Sequence, residues 1–246
     1  MQFIPIKTRI LLPPKDDLFQ IFDEYVLDVQ DGDILFITSK VVAIHQGRCI
    51  PTPADEQEKR ILKEQLIKQE ADKRIVRESI GEKNYYLTMK ENLLTPSVGI
   101  DESNANGHFI LRPNHLSKTS KEIHDYFTKK FNITKLWIIL TDSCSKPLKL
   151  GVVGIGIYAY GIKALLDKRG DEDLFGKRLA ITQVNVIDSL SAIAVYLMGE
   201  GNERTPILIG RDIPNIAYTA EDSYDASKVS PEEDIFRPLL HSIISD

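Results

Sequence analysis

The chain's 246 residues are 42% hydrophobic and 27% charged, with a formal net charge of −5 at pH 7 and a pI near 5.6. A chain of this length can bury a sizeable core, as one large domain or two intimate lobes, and its acidic balance argues against broad, backbone-driven nucleic-acid binding. The only cysteines, Cys49 and Cys144, have no metal-ligand spacing and give no disulfide framework. The glycine-rich apolar run 150–166 is too interrupted to span a bilayer, and no signal-peptide pattern opens the chain, so a reducing cytosol is the expected setting.

In chain order, Asp31-Gly-Asp33 turns into an apolar run, 34–40, that reads as a buried strand. Residues 55–79 have the charge density of an exposed amphipathic helix, with Ile61, Leu62, Leu66, Ile67 and Ile75 on its apolar side. A strand is expected at 85–89, a helix at 119–131 and a strand at 135–140. The β-branched residues of 151–161 favour a strand, and its repeated glycines point to close backbone approach or a bulge. Another strand is expected at 179–186, followed by a helix capped by Asp188 and ending near Met198. Beyond Asp212 a polar loop leads to a short final helix. The fold class is α+β, or mixed α/β, without a simple doubly wound sheet and without a clean linker.

Three acids end apolar segments. Asp101 follows Gly99-Ile100 and is trailed by Glu102, Ser103 and Asn104, a set of hard oxygen donors suited to Mg²⁺ or Mn²⁺ and equally a setting for an Asx-turn. Asp142, with Ser143 beside it, follows the run Ile138-Ile-Leu140, where a strand end would fix a ligand at the solvent boundary or simply be solvated. Glu200 stands between Gly199 and Gly201, which would let a phosphate approach the backbone or merely terminate a helix. Singly, each signal is weak.

Other chemistries find less support. Gly151-x-x-Gly154-x-Gly156 has the wrong order for a dinucleotide fingerprint, and no Walker-type loop occurs. His45, His108, His115, His124 and His241 show no paired metal spacing and read mostly as surface residues. The charge of Asp142 would disfavour a Cys144 thiolate, so nucleophilic catalysis is not expected there.

Taken in order, Gly32-Asp-Ile-Leu-Phe-Ile-Thr-Ser-Lys40, Gln46-Gly-Arg48, Gly99-Ile-Asp-Glu-Ser-Asn104, Thr141-Asp142, Gly151-Val-Val-Gly154, Asp173-Leu-Phe-Gly176 and Met198-Gly-Glu-Gly201 resemble the coenzyme F420-0:L-glutamate ligase family. The resemblance runs from about Ile4 to Ile209. It implies a single F420 ligase-like domain over 1–246, a two-lobed mixture of sheets and helices, and a homodimer. It also implies a ligase that joins the amine of L-glutamate to a carboxylate acceptor, using GTP (or ATP) and Mg²⁺ or Mn²⁺. By resemblance Asp101, Asp142, Ser143 and Glu200 are metal ligands, and Asp101, Asp142 and Glu200 form the catalytic centre. Ser39, Lys40, Asn104, Met198, Gly199 and Gly201 fall on the nucleotide, with residues 9–12 as a looser further contact.

That chemistry suits the residues. A carboxylate is a poor electrophile until it is phosphorylated, and phosphoryl transfer asks the protein mainly for positioning and charge neutralisation. The chain also departs from the family. Ile44 stands where the family has a phosphate-contacting Lys, with Lys40 the expected substitute on a strand. Ser143 replaces Thr, Lys146 replaces Arg, and Leu150 occupies a commonly basic position. The acids are retained while basic contacts change, so an altered acceptor pocket is expected, folate-type carboxylates being an alternative to the deazaflavin. A catalytically silent nucleotide- or metabolite-binding homologue is the competing class.

Overall fold

The structure is a computed structural model that describes residues 1–80, 83–219, 224–238 and 240. Its elements in order are β1 (Gln2–Ile6), α1 (Leu18–Tyr25), β2 (Asp33–Thr38), α2 (Ser39–His45), β3 (Cys49–Pro51) and α3 (Glu56–Glu70). Three strands follow, β4 (Lys73–Ile80), β5 (Lys83–Lys90) and β6 (Leu93–Pro96), then β7 (His108–Ile110) and α4 (Leu116–Phe131). The remainder is β8 (Leu136–Ser145), β9 (Val152–Tyr160), β10 (Leu165–Asp167), β11 (Gln183–Asn185), α5 (Val186–Met198) and β12 (Ile207–Arg211). Among the described residues, no helix is long and apolar enough to cross a membrane.

The centre is a five-stranded mixed sheet in the order β1-β12-β2-β8-β9, with only β2 and β8 parallel. Both of its faces are covered, which explains why its strands read as unbroken apolar runs rather than alternating ones. Period-two alternation sends Leu35, Ile37, Leu136, Ile138 and Leu140 to the face packed by α1, α2 and α4. Ile34, Phe36, Trp137, Ile139 and Leu208 go to the other, under α5. A third cluster forms where Leu66 and Ile67 of α3 meet Tyr86, Phe109 and the segment after β6. This mixed α+β architecture matches the expected fold class.

Two local devices set the geometry. Gly154 and Gly156 of β9 face α5, and a Cβ on either would lie 2.4 Å from the Ser191 carbonyl oxygen or 2.2 Å from Ile187 Cγ2. The close approach expected from these glycines is present. At the far edge of β2, Arg211 grips the buried Asp33 with both arms of its guanidinium (2.9 and 2.8 Å), tying β12 to β2.

Several expectations need correction. The helix expected over 55–79 ends at Glu70. Asp55 caps it by accepting from Gln57 and Glu58, Ile61 is half exposed, and Ile75 lies in β4, paired to β5. The 34–40 strand stops at Thr38, so Ser39 and Lys40 open a helix. The 135–140 strand continues to Ser145, which puts Asp142 inside β8 just past a register shift at Leu140/Thr141 rather than at a strand tip. Of 179–186, only Gln183–Asn185 is strand. Asn185 caps α5 by accepting the Asp188 amide; Asp188 lies in the first turn and instead receives the Gly156 amide at 3.0 Å. His124 is buried, against the surface reading of the histidines. Of the expected short final helix, residues 237, 238 and 240 are helical, and 239 and 241–246 lie outside the described residues.

Candidate active site

The register shift in β8 and strict alternation after it aim neighbouring side chains at opposite faces of the sheet. Asp142 turns toward α2, where the Ser39 hydroxyl donates to its Oδ2 at 3.0 Å. Ser143 turns toward the end of α5, and its hydroxyl donates to Glu200 Oε2 at 3.3 Å. Parallel pairing of β2 with β8 sets Thr38 beside Thr141, so the start of α2 and the acid of β8 share one end of the sheet.

Glu200 is delivered by the termination of α5. Gly199 takes φ 81°, which a side-chain-bearing residue adopts only with strain, and its amide closes the helix onto Val195. The following loop is held by Glu203, whose carboxylate accepts the Gly201 amide at 2.8 Å, and by Thr205, whose hydroxyl donates to the Met198 carbonyl. Across the site, Asn104 Nδ2 donates to the Gly201 carbonyl at 2.8 Å. The segment carrying Asp101 is thereby latched to the segment carrying Glu200.

At Asp101 the turn reading is present, and the remaining carboxylate oxygen is engaged by a lysine. Its Oδ1 accepts from the Ser103 amide (2.7 Å) and hydroxyl (2.8 Å) in a local turn, while Oδ2 pairs with Lys40 Nζ at 2.7 Å. Lys40 also donates to the Ser103 carbonyl at 2.9 Å. It does so from the first turn of a helix, not from a strand as expected.

These groups surround one cavity of about 140 Å³, lined by Ser39, Lys40, Asp101, Asn104, Asp142, Ser143, Met198, Gly199, Glu200 and Gly201. The catalytic, nucleotide and metal candidates named from the sequence are thus brought together, with the exception of the loosely matched 9–12 segment, whereas Glu102, also offered as an oxygen donor, pairs with Lys59 and Lys63 instead. That segment lines an adjoining groove of about 730 Å³, which shares Lys40, Asn104 and the 198–201 turn with the cavity. Ile44, one helical turn from Lys40, lines the same groove. On the other side an apolar groove of about 570 Å³, walled by Val152, Val153, Gly154, Ile193 and Tyr196, shares Gly199 and Glu200. The cavity is where two grooves meet: one, the polar groove, sets Arg9, Lys40, Asn104, Glu203 and Arg204 among apolar residues such as Ile10, Leu12 and Ile44, and the other is almost wholly apolar.

The electrostatics separate the acids. Burial pushes Asp101 up, but the Lys40 charge and the hydrogen bonds from Lys40 and Ser103 outweigh it and hold the carboxyl below its ordinary range. Burial pushes Asp142 up, and Asp101 adds to that. The Ser143 amide, the Ser39 hydroxyl and the charge of Arg112 oppose it without prevailing. Glu200 is raised by burial and by both aspartates, against the Ser143 hydroxyl and Lys40. Cys144 is raised chiefly by burial, with Asp142 a smaller influence, so the thiol stays protonated for a different main reason than the sequence suggested.

Among the described residues, no three acidic, histidine or cysteine side chains stand together as a ready-made metal cage. The donor chemistry nonetheless fits a hard cation. Asp101, Asp142, Ser143 and Glu200 offer only oxygen, and Asp142 and Glu200 repel one another and, among the described residues, have no ion pair, only the more distant charges of Arg112 and Lys40. Several lining residues were not anticipated, Arg204 of the adjoining groove among them; two further ones that bear charge beside the site are Arg112 and Glu203. Neither sits in a periodic pattern; the one available signal was a lone Arg within the apolar stretch Phe109-Ile-Leu-Arg112.

The family profile for F420-0:Gamma-glutamyl ligase matches residues 5–212. Coenzyme F420:L-glutamate ligase of Methanopyrus kandleri is 31% identical, over 95% of this chain and 96% of its own length. The protein of the same name from Methanocaldococcus jannaschii is 32% identical over 85% of this chain and 86% of its own, and that from Halorubrum lacusprofundi is 30% identical over 80% and 81%. Since the matched region takes in every segment that lines the cavity and both grooves, the chain belongs to the F420-0:gamma-glutamyl ligase family.

Proposed function

We propose that the protein is a nucleotide- and divalent-metal-dependent γ-glutamyl ligase that joins the amine of L-glutamate to a carboxylate of an F420-0-type acceptor. The observation that carries this reading is the convergence of Asp101, Asp142 and Glu200, from three distant parts of the chain, on one cavity between a polar and an apolar groove. Membership of the family and the names of the relatives supply the glutamate and the acceptor class.

In the proposed reaction the nucleotide lies in the polar groove, lined by Arg9, Lys40 and Arg204, and the acceptor reaches the cavity along the apolar one. An acceptor carboxylate oxygen attacks the terminal phosphorus, releasing the nucleoside diphosphate. The glutamate amine then attacks the acyl carbon, phosphate leaves, and the amine gives up a proton. Asp101, Asp142, Ser143 and Glu200 would hold one or two Mg²⁺ or Mn²⁺ ions, whose chemistry is to neutralise charge developing on phosphate oxygens. Ser39 orients Asp142, Ser143 orients Glu200, and the Asn104–Gly201 contact keeps the two sides of the cavity in register. Release of Asp101 by Lys40 would put a cation at the mouth of the polar groove. The choice between GTP and ATP, a homodimeric state and a cytoplasmic setting belong to the same proposal.

Incubation with nucleotide, Mg²⁺, labelled L-glutamate and F420-0, followed by mass spectrometry, is expected to show acceptor heavier by one glutamyl unit; folate-type acceptors form the comparison arm. Asp101→Asn and Asp142→Asn should each lower turnover by about 100-fold or more, the scale on which aimed charge acts in such sites, with circular dichroism unchanged. Near-normal turnover in either variant would refute the assignment. Ile44 on the groove wall favours a second reading, a silent binder, which predicts nucleotide binding without turnover of any acceptor.

A further inference from the structure

Arg112 follows β7 and is only 5% exposed, yet it lines the central cavity. Among the described residues, its Nε and Nη1 have no hydrogen-bond partner. Its Nη2 reaches Glu91 at 3.4 Å, beyond the roughly 2.7–2.9 Å of a charge-assisted hydrogen bond. Glu91 is itself half exposed, with 49% of its side-chain surface open. The protein satisfies its other enclosed arginines quite differently. Arg211 holds Asp33 with two bonds, and Arg48 holds Glu70 at 2.6 Å while its Nε donates to the Arg112 carbonyl. A buried guanidinium is costly unless its donors are used, and the two idle donors of Arg112 belong to the one arginine that borders the cavity.

The fork of an arginine matches a carboxylate in shape and charge. Arg112 is absent from the polar groove that Arg9, Lys40 and Arg204 line, and in the cavity its charge acts on Asp142. It therefore stands apart from Arg9 and Arg204, while Lys40, which also lines the cavity, is engaged with Asp101. Resting on the ligase reading above, we propose that Arg112 is a substrate-binding residue that receives a carboxylate inside the cavity. That carboxylate is supplied by L-glutamate or by the acceptor, and the order of the two substrates along the apolar groove decides which.

The test uses the full chain with Arg112→Met and Arg112→Lys. Because Glu91 is solvated and no tight ion pair is broken, Arg112→Met should fold and melt no lower than the parent. Thermal melting is measured with L-glutamate, with glutarate as a non-reacting dicarboxylate, and with F420-0; KM values are then measured for L-glutamate and F420-0. The expected result is loss of the carboxylate-dependent rise in melting temperature in Arg112→Met, a KM raised at least tenfold for one of the two substrates, and partial recovery in Arg112→Lys. The affinity for Mg²⁺·GTP stays within twofold. The substrate whose KM moves identifies the source of the carboxylate.

The proposal falls if both KM values and the carboxylate-dependent melting are unchanged, if the parent shows no such melting response, or if nucleotide affinity drops tenfold. Should the parent make no glutamyl product while Arg112→Met abolishes the response to glutarate, the ligase reading fails and the carboxylate site stands.

Discussion

Arg9 and Asp16 organise the wall of the polar groove through a two-armed ion pair of 2.7 and 2.9 Å. Asp16 also accepts the amides of Leu12 at 2.9 Å and Asp17 at 2.8 Å, so one carboxylate sets the path of the 9–12 segment. The Arg9 side chain, followed by those amides, holds the Asp16 carboxyl down to about 2 from 3.8. Its folded value lies below its unfolded one, so the stabilisation from this pair is complete above about 3.8 and is lost as pH falls through about 2. A carbon-detected NMR titration should find the Asp16 midpoint near 2, and Arg9→Ala should move it toward 3.8 while raising the KM for nucleotide. An unmoved midpoint would show that the backbone amides alone hold it. From sequence the 9–12 segment was matched only loosely, because its conformation depends on a side chain beyond it. Asp101 was more legible: the turn reading describes its Oδ1, while Oδ2 is held by Lys40, a partner that only the folded chain brings to it.

At the scale of elements, the position of Glu200 depends on how closely α5 lies on β9. Gly154 is the contact point, with a Cβ there placed 2.4 Å from the Ser191 carbonyl oxygen and 2.6 Å from Val195 Cβ. Neither the helix backbone nor a β-branched carbon can swing aside, so Gly154→Ala must lift the helix or bend the strand. Overpacking of this kind costs about 1–3 kcal/mol. Chemical denaturation should show that loss, and turnover per folded molecule should fall as well, because α5 carries the turn holding Glu200. Full turnover in the folded fraction would mean that the 199–201 turn is positioned independently, by Glu203 and Asn104. The role of these glycines was readable in advance, since alternating glycines in a β-branched strand signal close approach. The end of α3 was not, because the charge-rich pattern continues past Glu70 and only pairing with β5 converts 73–80 to strand. Pairing between segments overrides a local propensity of this size.

For the whole molecule, sequence order scatters the site over positions 39 to 201, and the mixed sheet collects it at one end. Motif order carried that information, because a family pattern records which segments meet. It carried none about which side chain answers which, so the Lys40–Asp101 pair and the idle donors of Arg112 emerge only in three dimensions. That pair bears on how a cation enters. Asp101 can join Asp142 and Glu200 around a metal only if Lys40 Nζ leaves its 2.7 Å contact, so lysine and metal compete for one carboxylate and each weakens the other's hold by the same factor. Without nucleotide, Mn²⁺ at about 100 times its dissociation constant should stabilise the fold by about 2.7 kcal/mol, raising Tm by roughly 5–10 °C for a chain of this size. Asp142→Asn should abolish most of that rise. Lys40→Met should enlarge it at a fixed sub-saturating Mn²⁺ concentration, as the competitor is gone. A parent protein whose Tm ignores Mn²⁺ would refute the metal centre, whereas a normal rise left unchanged by Lys40→Met would show that the metal is held by Asp142, Ser143 and Glu200 with Asp101 left to its lysine.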